Sequence, residues 1–186
     1  MSINDLFKKA NKLFRQNNHI EGLKIYKDIL SKFPQNVRLF EEVKKITKKH
    51  KQIINQTVSD IEISNFFDMQ KQDQGEIVIK HLNTMYKKNQ NDILIISLLG
   101  TFYSLEKNYD KAIYFQKKAI EKAPFEISFY QNLAITLQQQ DKNIDALSML
   151  YFAKILSLNN KSIDFEIAKL YTLIKNYKAS DFIFSN

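Results

Sequence analysis

The side chains best able to do chemistry are few in this chain of 186 residues. It has no Cys, so disulfides and thiolate metal ligands are excluded. Its 3 histidines are His19, His50 and His81. No two of them have the i, i+4 spacing that puts a pair of imidazoles on one helix face, so a helical zinc site has no ligand set. They read as solvent-facing or half-buried side chains, and no metal or cofactor is expected. The 3 glycines, Gly22, Gly75 and Gly100, are too dispersed to cradle a phosphate. Adjacent acids such as Glu41 and Glu42 point apart on a helix and make a poor acid–base pair. No catalytic constellation emerges, and the expectation is a binding protein rather than an enzyme.

Charge is unevenly placed. The net charge is +8. Residues 1–58 hold 13 Lys/Arg against 5 Asp/Glu, while residues 59–186 hold 15 of each. The densest run contains Lys44, Lys45, Lys48, Lys49 and Lys51. It suits an anion-binding patch for nucleic acid or an acidic partner. It also suits a solvated helix end, where lysines complement the negative end of the dipole. The second reading is preferred, because no Arg or aromatic residue is interleaved for base contact. Nucleic acid is therefore not the expected partner. The most apolar run, Ile93 to Tyr103, is too short to span a bilayer and contains Ser97, Gly100 and Thr101. Residues 1–15 are amphipathic and lack the apolar stretch of a signal peptide. A soluble cytoplasmic protein is expected.

The positioning elements are helices. With 3 Gly and 2 Pro the chain lacks the turn residues of a sheet protein. Apolar periodicity predicts about eleven helices, over 2–16, 20–33, 37–51, 59–72, 75–89, 92–106, 109–123, 126–140, 143–157, 161–174 and 177–185. Ser59 and Glu62 predict a capping box. The turn from Asp141 to Asn143 reads one residue tighter than its equivalents.

A repeat organises these helices. In residues 93–126, Leu99, Gly100, Tyr103, Ala112 and Pro124 match a W-x2-L-G-x2-Y, A-x3-F, P pattern of 34 residues. Ile96 stands for the Trp, and Gln116 departs from the Phe. One period on, Gly100 becomes Ala134 and Ala112 becomes Ala146; a further period gives Ala168. Small residues at these places let two helices approach closely, and Pro124 ends the second helix. Counting back from Pro34 places Ala10 and Gly22 at the small positions. On these residues the chain resembles the tetratricopeptide repeat proteins, in particular the bacterial repeat regions that precede sulfotransferase or glycosyltransferase domains.

The resemblance implies an all-α solenoid of stacked antiparallel helix pairs. Residues 1–51 form a basic hairpin plus one helix, 52–58 a linker, and 59–92 a degenerate repeat with Phe66 at a small position. Residues 93–126 and 127–160 are regular repeats, and 161–186 an incomplete one. First helices would line a concave groove that binds a protein or peptide segment. Its candidate residues are Ser97, Thr101, Ser104, Gln131, Asn132, Ile135, Gln138, Lys169 and Thr172. Neither the carboxylate clamp of chaperone-tail binders nor the Asn ladder of glycosyltransferase-associated repeats is matched beyond Asn132. Two alternatives remain: a substrate-recruiting module of a transferase without its catalytic domain, and a nucleic-acid or anionic-surface binder using basic residues 1–58. Phe182, Ile183 and Phe184 form an apolar edge suited to self-association or to further chain.

Overall fold

The computed structural model describes residues 2–33, 36–50, 54, 56–158 and 160–174. Among them are ten α-helices and no strands. They are α1 (Ile3–Arg15), α2 (His19–Lys32), α3 (Val37–Lys49), α4 (Asp60–Lys71) and α5 (Gly75–Lys88), followed by α6 (Ile93–Leu105), α7 (Tyr109–Lys122), α8 (Ile127–Gln139), α9 (Asn143–Ser157) and α10 (Lys161–Leu173). The expected helix over 177–185, with Phe182, Ile183 and Phe184, lies outside the described residues, as does Lys51.

Two kinds of helix start alternate along the chain. The first helix of each pair begins at a side-chain cap. Ser2, Asn36, Ser59, Asp92, Glu126 and Asn160 each accept a hydrogen bond from a backbone N–H of the first turn. The second helix follows from a left-handed turn residue instead. Asn17, Asp73, Lys107 and Asp141 all have φ of 57–58°. In each turn the next residue's N–H reaches back to the preceding helix: Asn18 to the Leu13 carbonyl at 2.9 Å, Gln74 to Met69 at 3.0 Å, Asn108 to Tyr103 at 2.9 Å, and Lys142 to Leu137 at 2.9 Å. This closure satisfies a carbonyl that the helix end leaves unpaired. The turn at Asp141 is thus the same as the others, not tighter. At Ser59 only half of the expected capping box forms. The hydroxyl accepts from the Glu62 N–H at 3.2 Å, while the Glu62 carboxylate lies 3.5 Å from His81 Nε2 on α5.

Helices α6, α8 and α10 start at Ile93, Ile127 and Lys161, 34 residues apart. Ala134, Ala146, Ala153 and Ala168 are fully buried at the crossings. At Gly100 the crossing leaves no room for a Cβ, which would meet Gln116 Cγ at 2.8 Å. Tyr130 donates to the Pro124 carbonyl at 2.8 Å and ties the turn between α7 and α8 to the next repeat. Phe66 stands at a small position but is buried, meeting Phe102 edge-on with ring centroids 6.2 Å apart.

The N-terminal part breaks the series. Helix α3 begins 34 residues after α1. The two stack accordingly, with Arg38 Nη1 donating to Asn4 Oδ1 at 2.7 Å and its guanidinium 4.5 Å from the Phe7 ring centroid. Among the described residues the next helix after α3 is α4, again a first helix. Helix α9, from the far end of the stack, packs against α2 and α3. Lys27 on α2 donates to Ser148 Oγ on α9 at 2.9 Å, and its ammonium lies 5.1 Å from the Phe152 ring centroid. Val58 is fully buried.

Candidate partner-binding face

First helices lie on the inner side of the stack. Helices α6 and α8 are joined by short side chains: the Ser104 and Thr136 hydroxyls are 2.8 Å apart, and Ser104 donates to Gln139 Oε1 at 3.0 Å. The second helices α5 and α7 are bridged by a long lysine, Lys118, reaching the Tyr86 hydroxyl. At this step the first helices approach more closely than the second ones, as they do on the concave side of a solenoid.

The 34-residue register puts Phe67, Thr101, Ile135 and Lys169 in line on α4, α6, α8 and α10, with Leu105, Gln139 and Leu173 one turn further on. Four of these are exposed apolar side chains: Phe67 at 37%, Leu105 at 42%, Ile135 at 51% and Leu173 at 59%. Apolar side chains recurring on an exposed face are a mark of partner contact. Between α6 and α8 the face opens into a cavity of about 160 Å³. Thr101, Ser104, Asn132 and Ile135, all sequence candidates, line it together with Leu105 and Gln139.

A buried polar chain forms its floor. The Gln116 amide Nε2 donates to Thr136 Oγ1 at 2.8 Å, and it faces the Gly100 and Asn132 carbonyls at 3.4 Å. From Thr136 the chain runs through Ser104 to Gln139 at the surface. Ser104 is only 8% exposed, and its hydroxyl is engaged within this chain, so it shapes the cavity rather than offering a free group. Ser97, Gln131 and Gln138 are half-buried and lie outside the cavity lining. Lys169 and Thr172 are exposed on α10, with Thr172 donating to the Lys169 carbonyl at 2.7 Å. Sequence reasoning missed Leu105, Gln116, Thr136 and Gln139. Stepping the register one turn along α6 would have found Leu105 and Gln139. Ser104 and Thr136 are 32 residues apart, off the period, so no sequence signal links them.

Burial pushes the phenols of Tyr26, Tyr130 and Tyr151 above their ordinary value, so they stay protonated at neutral pH. Among the described residues no three His, Asp or Glu side chains are grouped to hold a metal ion.

The basic run lies elsewhere. Lys44, Lys45, Lys48 and Lys49 are exposed on α3. Lys44 and Lys48 edge a second cleft of about 390 Å³, whose apolar side is formed by Phe125, Ile127 and Leu156. Lys45 lies 3.6 Å from Glu42. Among the described residues no helix is long and apolar enough to cross a membrane.

Paired helices at a constant period, small crossings and an inner face of first helices define a tetratricopeptide-type α-solenoid. Solved structures of MamA share this fold. A crystal structure of MamA has 14% identity and a TM-score of 0.58, the match covering 100% of this chain and 92% of that one. MamA from residue 41 to its end, from Desulfovibrio magneticus RS-1, has 13% identity, coverage of 98% and 90%, and a TM-score of 0.58. MamA of AMB-1 has 15% identity, coverage of 80% and 92%, and a TM-score of 0.57. No family model matches the chain. No curated protein matches it either.

Proposed function

We propose that the chain is a protein-interaction scaffold without catalytic chemistry of its own, and that it holds an extended segment of a partner on its inner face. The observation that carries this reading is the cavity between α6 and α8, where exposed Ile135 and Leu105 flank the polar groups of Thr101, Asn132 and Gln139. Apolar flanks take one or two partner side chains, and the hydroxyl and amides take its main-chain N–H and C=O groups. The solenoid fold shared with MamA supports a scaffold by analogy of architecture.

The test is selection of peptides from a random library on the whole chain, followed by titration of the selected peptides against a Thr101→Lys/Ile135→Lys variant. A loss of roughly tenfold or more in affinity, about 1.4 kcal/mol, is expected. Equal binding to both proteins rules the face out.

A further inference from the structure

Beside the packing of α9 on α2 and α3, helices α1–α3 also meet Phe125, in the turn between α7 and α8. Its ring centroid lies 5.1 Å from that of His19 and 5.6 Å from that of His50, whose plane is tilted only 18° from it. Phe14, at the end of α1, closes the group at 6.3 Å. Three N-terminal helices thus each place one ring around a single side chain of the second block. The two imidazoles are 4.6 Å apart, and His19 Nδ1 is buried with no hydrogen-bond partner.

We propose that this group is an acid-labile clasp: neutral His19, packed against His50 and Phe125, holds α1–α3 against the α7–α9 segment, and protonation of His19 releases them, exposing Phe125 and the α9 side chains Phe152 and Leu156. The inference goes beyond the proposed scaffold role and does not rest on the inner face.

A proton on His19 is opposed by its half-buried site, where Nδ1 has no hydrogen-bond partner. The surroundings do not offset this opposition. Helix α3 brings Lys44 and Lys48 to the adjoining cleft and carries Lys49 one residue before His50, and α1 brings Arg15 near its end. The turn contributes Glu126, whose carboxylate already accepts from Ser128 Oγ at 2.9 Å. On α2, Glu21 is paired with Lys24.

Burial first, and the neighbouring His50 second, hold the His19 imidazole below its ordinary value of 6.5. The closed form therefore prefers neutral His19. Closure is fully present above that value and is lost as pH falls below it. Each proton taken up on opening shifts the open-to-closed ratio by up to about tenfold per pH unit.

The experiment is small-angle X-ray scattering of the whole chain from about pH 7.5 to about pH 5, with far-UV circular dichroism on the same samples. Wild type and His81→Phe are expected to lengthen below about pH 6.5 at constant helix content, while His19→Phe/His50→Phe stays compact. Unchanged wild-type scattering overturns the proposal, as does lengthening that accompanies loss of helix or an equal transition in the double variant. Should the double variant not fold, the wild-type titration decides alone.

Discussion

Replacing Gly100 with Val tests the crossing of α6 and α7. A Cβ at this position would lie 2.8 Å from Gln116 Cγ and 3.2 Å from the Gln116 backbone nitrogen. The first neighbour can rotate only by breaking the amide's bond to Thr136, and the second is part of the α7 backbone. Overpacking of this kind costs about 1–3 kcal/mol. Valine is a better helix former than glycine by only ~0.4 kcal/mol, and its two further methyl groups aggravate the contact. The net loss is about 1–3 kcal/mol. For a chain of this length that lowers the melting temperature by roughly 2–12 °C. Gly75→Ala is the matched control. There an added Cβ meets only the flexible ends of the Glu106 and Gln70 side chains, which can swing away. Its expected effect is within about 0.5 kcal/mol. Thermal melts of the three proteins followed by circular dichroism decide the matter. A Gly100→Val protein that melts at or above the wild-type temperature refutes the crossing argument, as does equal damage at Gly75.

Two further outcomes follow from the same geometry. Thr136→Val keeps the shape but removes the hydroxyl that links Gln116 to Ser104, both at 2.8 Å, so about 2 kcal/mol is lost. A lower urea midpoint at unchanged slope would register it, and an unchanged midpoint would mean that the chain of bonds contributes nothing. Lys107→Gly relieves a left-handed residue at φ 58°, worth about 1–2 kcal/mol, against ~0.5–1 kcal/mol of extra freedom in the unfolded chain. A melting temperature raised by roughly 1–4 °C is expected, and a lowered one contradicts the turn reading.

Much of the solenoid can be read from residue types alone, because a 34-residue spacing of small residues is a packing requirement written directly in sequence. Gly100, Ala134 and Ala168 must be small wherever helices cross, and an Asn, Asp or Lys turn follows α1, α4, α6 and α8. The fold-back of α1–α3 is different. Among the described residues no second helix stands between α3 and α4, and nothing local says that α9 will pack against α2 and α3. His19, His50 and Phe125 lie in three distant stretches, each bland alone, and only tertiary packing turns them into one cluster. The inner face falls between these cases. Thr101, Asn132 and Ile135 follow from the register, whereas Gln116 looked like a mere departure from an expected Phe and proves to be the buried start of the polar chain under the cavity.

The central claim, that partners bind on the inner face, is tested most directly by nuclear magnetic resonance. A library-selected peptide is titrated into the isotope-labelled chain, and amide shifts are followed residue by residue. The account predicts shifts concentrated at Thr101, Leu105, Asn132, Ile135 and Gln139, with the outer helices α7 and α9 little changed. Shifts confined to α7 and α9, or to the cleft at Lys44 and Phe125, would contradict it.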